Sequence, residues 1–394
     1  MSIKVPGFRF AGVKCGIKKS KKRDLALIFS ERPATAAAIF TTNKIKAAPV
    51  LTGMKKIRSG KIQSVVINSG NANACTGTRG NRDAEEVCGL VASRLSISSG
   101  LVFPSSTGVV GVPLPIGKVR KGIYQAATQL SPESFSQAAE AILTTDRFAK
   151  TSVGSCRLRG KRVVVAGMAK GAGMIAPNMA TMLAYVFTNA AVELPSLKGI
   201  LARVAGGTFN AVTVDGDMST NDTVLFLANG FAQNPPVKKG SQDEKTLERV
   251  VFKVMKELAL KLVQDAEGGT KVAEIRVEGA RSVTEAKQVA FSVANSNLVK
   301  TAFFGEDPNL GRIMVAIGYA GVPIRPNRIS VSIGGIRVVQ KGIVATATER
   351  KAAPVMRRPS FKVKINLGQG KKSASVWTSD LSYQYVRINS AYRT

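Results

Sequence analysis

Short β-type runs alternate with helical periodicities along the whole chain, and few architectures accept that order. Runs rich in Val, Ile and aromatic residues fall at 64–68, 162–166, 182–188, 223–228, 274–278, 329–333, 361–365 and 383–388. Most are bounded by Gly, Pro or Asn, and they are predicted strands. Between them the spacing predicts helices over 83–95, 132–143, 197–205 and 242–266. The last is the best marked. Ser241 and Glu244 fit a capping box, Leu247, Val250, Val251, Val254, Leu258 and Leu262 recur at helical spacing, and Gly268-Gly269 ends the run. Pro132 after Ser131 is a further start signal. Elements interleaved in this way predict an α/β fold of layered, mixed sheets and helices. The 394 residues suffice for two or three domains or one large α/β unit. No internal repeat or low-complexity block divides them, and 233–240 reads as a loop. No stretch approaches 18 consecutive apolar residues, so no membrane-spanning helix is expected. The first residues carry no apolar leader, and a cytoplasmic protein is expected.

Composition narrows the chemistry. The chain has no histidine. That removes Ser-His-Asp and Cys-His machinery, histidine zinc helices and any imidazole base. Cys15, Cys75, Cys88 and Cys156 are far apart and form no C-x-x-C pair, so reduced thiols are expected, with neither a metal site nor a disulfide framework. Against 25 Asp and Glu stand 57 Lys and Arg, a formal charge of +32. The densest basic stretches lie at 18–23 and 350–364. Phosphates attract such residues, yet the excess is spread along the whole chain and no nucleic-acid-binding motif is visible. A solvated basic face is the plainer reading, with small anionic substrates as a further reason for it. Neither nucleic acid nor a membrane is expected as a partner.

One segment carries chemistry. In 170–187, Lys170 precedes a Gly-x-Gly, Pro177-Asn178 makes a turn, and Ala180-Thr181 heads an apolar strand. The Gly-x-Gly lacks the spacing of a phosphate loop and is a weak signal. Threonine is a poor nucleophile without an adjacent base, but an N-terminal threonine carries its own, the α-amine. The reference pKa of that amine is about 7.7–8.0, the window that the absent histidines leave open. The chain would have to cut itself before Thr181 to expose it.

At these residues the chain resembles the glutamate N-acetyltransferase/ornithine acetyltransferase family of arginine biosynthesis. The resemblance runs through ordered blocks: 66–77, 106–111, 179–183, 213–217, 219–222, 265–268, 304–309 and the tail 388–394. It implies a self-cleaving fold with N-terminal-nucleophile-type chemistry, shared with related aminopeptidases. Residues 1–180 would become one chain and 181–394 a second, intertwined in one catalytic unit and assembled as two copies of each. Cleavage would fall between Ala180 and Thr181. Thr181 would be the nucleophile, and Thr107 and Gly108 the oxyanion pair. Thr144, Lys170, Thr181, Glu267, Asn389 and Thr394 fall on substrate-binding positions. The implied reaction moves acetyl from N2-acetylornithine to glutamate without a cofactor or metal, with acetyl-CoA as a further donor.

Read without the resemblance, several of these residues have plainer roles. Thr107-Gly108 fits a turn. Glu267 fits a solvated helix end, although the carboxyl end of a helix dipole disfavours it. Asn389 and Thr394 fit a terminal tail. The run 215–221 resembles a calcium loop, but glycine is absent from the sixth position and Phe226 stands where a glutamate is needed, so it reads as a structural turn. Arg147, Gly269 and Leu310 depart from the family's usual residues. A self-cleaving aminopeptidase is the rival with the same chemistry, and a basic nucleic-acid-binding protein the rival from another class.

Overall fold

A computed structural model describes residues 2–176 and 182–391. The strands are β1 (Phe8–Val13), β2 (Leu25–Phe40), β3 (Lys61–Asn71), β4 (Val102–Val109), β5 (Lys150–Leu158), β6 (Lys161–Lys170), β7 (Leu183–Thr188), β8 (Val212–Thr213), β9 (Thr223–Ala228), β10 (Val272–Ala280), β11 (Ser330–Ile333), β12 (Ile336–Gln340), β13 (Ile343–Val344), β14 (Ser360–Asn366) and β15 (Lys372–Ser379). They form two mixed sheets. One has eight strands in the order β4-β3-β2-β9-β7-β6-β5, with β1 paired to β2. The other has seven, in the order β13-β12-β11-β14-β10-β15-β8. The expected layered α/β architecture is therefore the observed one.

The centre of the first sheet shows why an unbroken apolar run folds as a strand there. Every residue of β7, Leu-Ala-Tyr-Val-Phe-Thr, is buried. Alternate side chains point to opposite faces. Ala184 and Val186 join a core with Leu197, Ile200 and Leu201 of the helix Leu194–Gly207 and with Leu247, Val251, Val254 and Leu258 of the helix Gln242–Gln264. Leu183, Tyr185 and Phe187 face a second core with Phe8, Phe10 and Phe135. Helices thus cover one face and an aromatic cluster the other, as a buried parallel pair such as β7–β9 requires.

The second sheet leaves one face of β14 to solvent. In β14, Phe361, Val363 and Ile365 are buried and the residues between them are exposed. Lys362 and Lys364 there pair with Glu274 and Glu278 of β10 at 3.0 and 2.8 Å. Part of the basic stretch at 350–364 is thus a solvated, salt-bridged sheet face.

Three local expectations need correction. The segment 383–388 is not a strand but part of a terminal helix, Tyr383–Ala391. The helix predicted over 132–143 is the shorter Phe135–Ala141, because Ser131 is taken up in a β-bridge with Phe10. The capping box before the helix Gln242–Gln264 is half formed. Ser241 Oγ accepts the Glu244 N–H at 3.1 Å, but the Glu244 carboxylate accepts from the Gly240 N–H, at 2.7 Å, and not from Ser241.

Candidate active site

The site is assembled where strand ends meet. Lys170, the last residue of β6, pairs with Leu183, the first of β7, and Leu183 pairs with Thr223, the first of β9. The chain leaves the sheet after Lys170 and returns at Leu183. Its outgoing arm is tied down residue by residue. The Gly171 N–H donates to Asp146 Oδ1 at 2.7 Å, and the Glu267 N–H donates to Ala172 O at 2.9 Å. Asp215 accepts the N–H groups of Met174 and Ile175 at 2.6 and 2.8 Å. The returning arm is held as well. The Met182 N–H donates to Asp222 Oδ1 at 3.1 Å, and the Thr223 N–H to Met182 O at 3.1 Å. The predicted cleavage residues Ala180 and Thr181, and Thr394, lie outside the described residues.

The remaining predicted site residues, Thr107, Gly108, Thr144, Lys170, Glu267 and Asn389, all line one cavity of about 370 Å³. That is within the usual range for small-molecule sites, roughly 300–1,000 Å³.

Thr107 and Gly108 are at the end of β4, which runs parallel to β3. They are strand residues, so the turn reading fails. Gly108 has φ +130°, and a Cβ there would lie 2.4 Å from the Gly70 carbonyl carbon, so only glycine fits. The polar residues of β3 and its exit hold this strand end. Ser106 Oγ donates to Asn68 Oδ1 at 2.6 Å, and Asn221 Nδ2 donates to both Ala72 O and Ser106 O at 2.8 Å. Lys170 Nζ donates to Thr107 Oγ1 at 3.2 Å. With its oxygen so engaged, the Thr107 hydroxyl keeps its own proton to donate.

Lys170 is 4% exposed. Burial pushes its ammonium below the ordinary lysine range, with Asp146 opposing the fall and Lys150 adding to it. Asp146 is the hub beneath. Burial would raise its carboxyl, but Lys170 and Lys150 overcome this and hold it at about 2. It accepts Lys150 Nζ at 2.6 Å and the Thr144 N–H at 2.9 Å. Lys150 also donates to Asp265 Oδ2 at 2.5 Å, and Asp265 Oδ1 accepts Arg147 Nε at 2.9 Å. The side chains of Asp146, Lys150 and Asp265 are wholly buried. This network fixes the Thr144 loop, the Lys170 strand end and the end of the helix Gln242–Gln264 to one another. It also occupies the Gly171 N–H, so the Gly-x-Gly after Lys170 serves the fold and does not cradle a phosphate.

The opposite rim comes from the chain's second half. Glu267 accepts Asn389 Nδ2 at 2.9 Å. A Cβ on Gly173 would lie 2.4 Å from the Glu267 carboxylate, so glycine there makes room for it. Gly268, at φ +67°, allows the terminal helix to pass, since a Cβ would lie 2.5 Å from Tyr385 N. Tyr385 Oη donates to Asp215 Oδ2 at 3.2 Å.

With this geometry in view, the sequence comparison decides the family: the chain matches the description "ArgJ family" over residues 9–394. The chain belongs to the ArgJ family. It is 49% identical over 393 residues to the arginine biosynthesis bifunctional protein ArgJ of Geobacter sulfurreducens, with 100% of each chain covered. To the ArgJ protein of Symbiobacterium thermophilum it is 45% identical over 390 residues, covering 98% of this chain and 97% of that one. A crystal structure of the arginine biosynthesis bifunctional protein of Bacillus halodurans aligns at a TM-score of 0.51 and 36% identity. That alignment covers 53% of this chain and 98% of the solved one.

In this member of the ArgJ family, sequence reasoning missed two sets of residues. The run 215–221 does turn the chain, but Asp215, Asp217, Met218, Ser219, Thr220 and Asn221 also line the cavity. Its density of polar residues, ahead of the wholly buried β9, was the available signal. The pair Asp146 and Asp265 left none, because Lys150, which joins them, is 115 residues from Asp265 in sequence. Among the described residues, no group of three or more His, Cys, Asp or Glu is placed to hold a metal, and no helix is long and apolar enough to cross a membrane.

Proposed function

We propose that this protein transfers acetyl from N2-acetylornithine to glutamate through an acetyl-threonine at residue 181. One observation carries the reading: in an ArgJ family chain, Thr107, Gly108, Thr144, Lys170, Glu267 and Asn389, which precede and follow position 181 in the sequence, line one cavity. The Oγ of Thr181 first attacks the carbonyl carbon of Ala180, and hydrolysis of the resulting ester leaves 1–180 and 181–394 associated. The freed α-amine then takes the hydroxyl proton as Oγ attacks the acetyl carbonyl of N2-acetylornithine. The Thr107 hydroxyl and the Gly108 N–H stabilise the developing oxyanion. Ornithine leaves with the proton, and glutamate's amine takes the acetyl group in the reverse sequence. Lys170 draws the substrate carboxylate inward, while Glu267 and Asn389 hold its polar groups at the rim.

Both half-reactions are acyl transfers, so no cofactor or metal is required. Acetyl-CoA serves as an alternative donor. The working assembly is two copies of each fragment, in the cytoplasm. Assay of N2-acetylornithine with and without glutamate tests the reading. Ornithine release that depends on glutamate and yields N-acetylglutamate is expected. Release at the same rate without glutamate would make the protein a hydrolase.

A further inference from the structure

We propose that the lysine-rich loop between β1 and β2 binds the phosphates of acetyl-CoA, the larger of the two acetyl donors, outside the cavity. The inference rests on the reading above that acetyl-CoA is a donor. Residues 18–23 are one of the two densest basic stretches of the chain, and the fold leaves much of their charge unspent. Lys19, Lys21 and Lys22 are exposed, and their ammonium groups have no hydrogen bond or ion pair among the described residues. The acids bound into the loop are occupied. Asp24, wholly buried, accepts the N–H groups of Cys15, Ile17 and Lys18 at 2.7, 2.6 and 3.0 Å. Glu140 accepts Arg23 Nε at 3.2 Å.

Packing sets this loop against the wall of the cavity. A Cβ on Gly70 would lie 3.0 Å from Lys18 Cγ and 3.1 Å from Ile17 Cγ2, so the loop rests on Gly70. Gly70 pairs with Gly108, which lines the cavity. On its other flank the loop is tied by Arg23 to Glu140, shortly before Thr144 and Thr145, which also line the cavity. Ser69 closes the corner: its N–H donates to Asp24 O at 2.8 Å and its hydroxyl to Ala141 O at 2.5 Å. The root of the loop is therefore rigid, and Lys18 is part of it, its Nζ donating to Arg23 O at 2.8 Å. Burial pushes Lys18 down to about 8, with Asp24 opposing the fall and Lys170 adding to it. The charge of the loop thus reaches the inner end of the site.

Size and charge select the ligand. At about 370 Å³ the cavity is near the small end of the range for such sites. It suits an acylated amino acid, or the thioester end of CoA, but not the nucleotide, whose phosphates must lie outside. The wall drawn from the second half of the chain carries Asp215, Asp217 and Glu267 and repels phosphate. The loop on the opposite flank offers unpaired ammonium groups, which attract it. Uncompensated like charges on one short loop oppose folding, and a polyanionic donor relieves that repulsion when it binds.

The test combines Lys19→Gln, Lys21→Gln and Lys22→Gln and measures KM for three donors with glutamate as acceptor: acetyl-CoA, S-acetylpantetheine, which has the same thioester and arm without the nucleotide, and N2-acetylornithine. KM for acetyl-CoA should rise about 10-fold, the scale of several exposed ion pairs lost together. KM for the other two donors should stay as in the wild type, and the matching Lys→Arg combination should restore acetyl-CoA. An unchanged KM for acetyl-CoA, or an equal rise with S-acetylpantetheine, would overturn the proposal. So would a variant that loses salt-dependent DNA binding while keeping its KM for acetyl-CoA, which would give the loop to nucleic acid. A wild-type enzyme that takes acetyl from N2-acetylornithine but not from acetyl-CoA would remove the donor reading and the proposal with it, and leave the transfer between amino acids standing. If the combined variant does not fold, the wild-type enzyme carries the test. Added salt should raise KM for acetyl-CoA well beyond any change for S-acetylpantetheine, and an equal response of the two donors would overturn the proposal.

Discussion

Thr107 and Lys170 are 6% and 4% exposed, whereas the helix that brings Tyr385 and Asn389 to the same cavity buries none of its residues. The inner end is made of strand termini locked by a buried charge network. The rim is a terminal helix passing Gly268 and joined to Glu267 through Asn389. Electrostatic effects are stronger where water is excluded. The inner end is therefore where charge developing in a transition state can be stabilised, and the rim is where substrates are sorted.

Four substitutions sharpen or break that contrast. The largest effect belongs to Thr181→Ala, which should leave the chain uncut and without transferase activity, as denaturing mass spectrometry and the acetyl-transfer assay would show. Thr107→Ala comes next. Removing one oxyanion donor costs about 10²–10³ in kcat, with KM little changed; an unaltered kcat would strip Thr107 of that role. Lys170→Met should weaken turnover about 10–100-fold, the scale of a lost charged hydrogen bond. It should also carry the rising limb of kcat/KM for N2-acetylornithine to higher pH. The sign follows from the buried cation: a neighbouring positive charge disfavours the protonated amine, so removing it raises the amine's pKa. A limb that moved down would reverse the assignment. The smallest effect is at the rim. Asn389→Ala should raise KM a few-fold, the scale of one exposed hydrogen bond, and spare kcat. A fall in kcat as large as that of Thr107→Ala would erase the distinction between the two ends.

The sequence was most legible where apolar pattern and local packing agree. The runs at 182–188 and 223–228 became β7 and β9 because both of their faces are covered. It misled where tertiary contacts outweigh propensity. Tyr383, Tyr385, Val386 and Ile388 look like a strand, yet Tyr385 reaches back to Asp215 and the segment coils beside Gly268. In β2, Pro33 in the middle of the run hid a 16-residue strand. The structure accommodates it where the β2–β3 register shifts between Phe29 and Ala34. In β4, Ser105, Ser106 and Thr107 are too polar to suggest a buried strand; in the fold Asn68 and Asn221 pair with Ser106, and Lys170 pairs with Thr107. The site residues at 107, 108, 144, 170, 267 and 389 were legible through family resemblance, not through pattern. The groups that hold them, Asp146, Lys150, Asp265 and Asp222, speak only when distant strand ends are brought side by side.

The central claim is that a threonine exposed by self-cleavage carries the acetyl group. Denaturing mass spectrometry of purified protein, before and after brief mixing with N2-acetylornithine in the absence of glutamate, tests it most directly. The account predicts fragments 1–180 and 181–394, with the second heavier by one acetyl group after mixing and restored to its first mass when glutamate is added. A single intact chain of 394 residues with full transferase activity, or an acetyl group that never appears on the fragment beginning at Thr181, would contradict it.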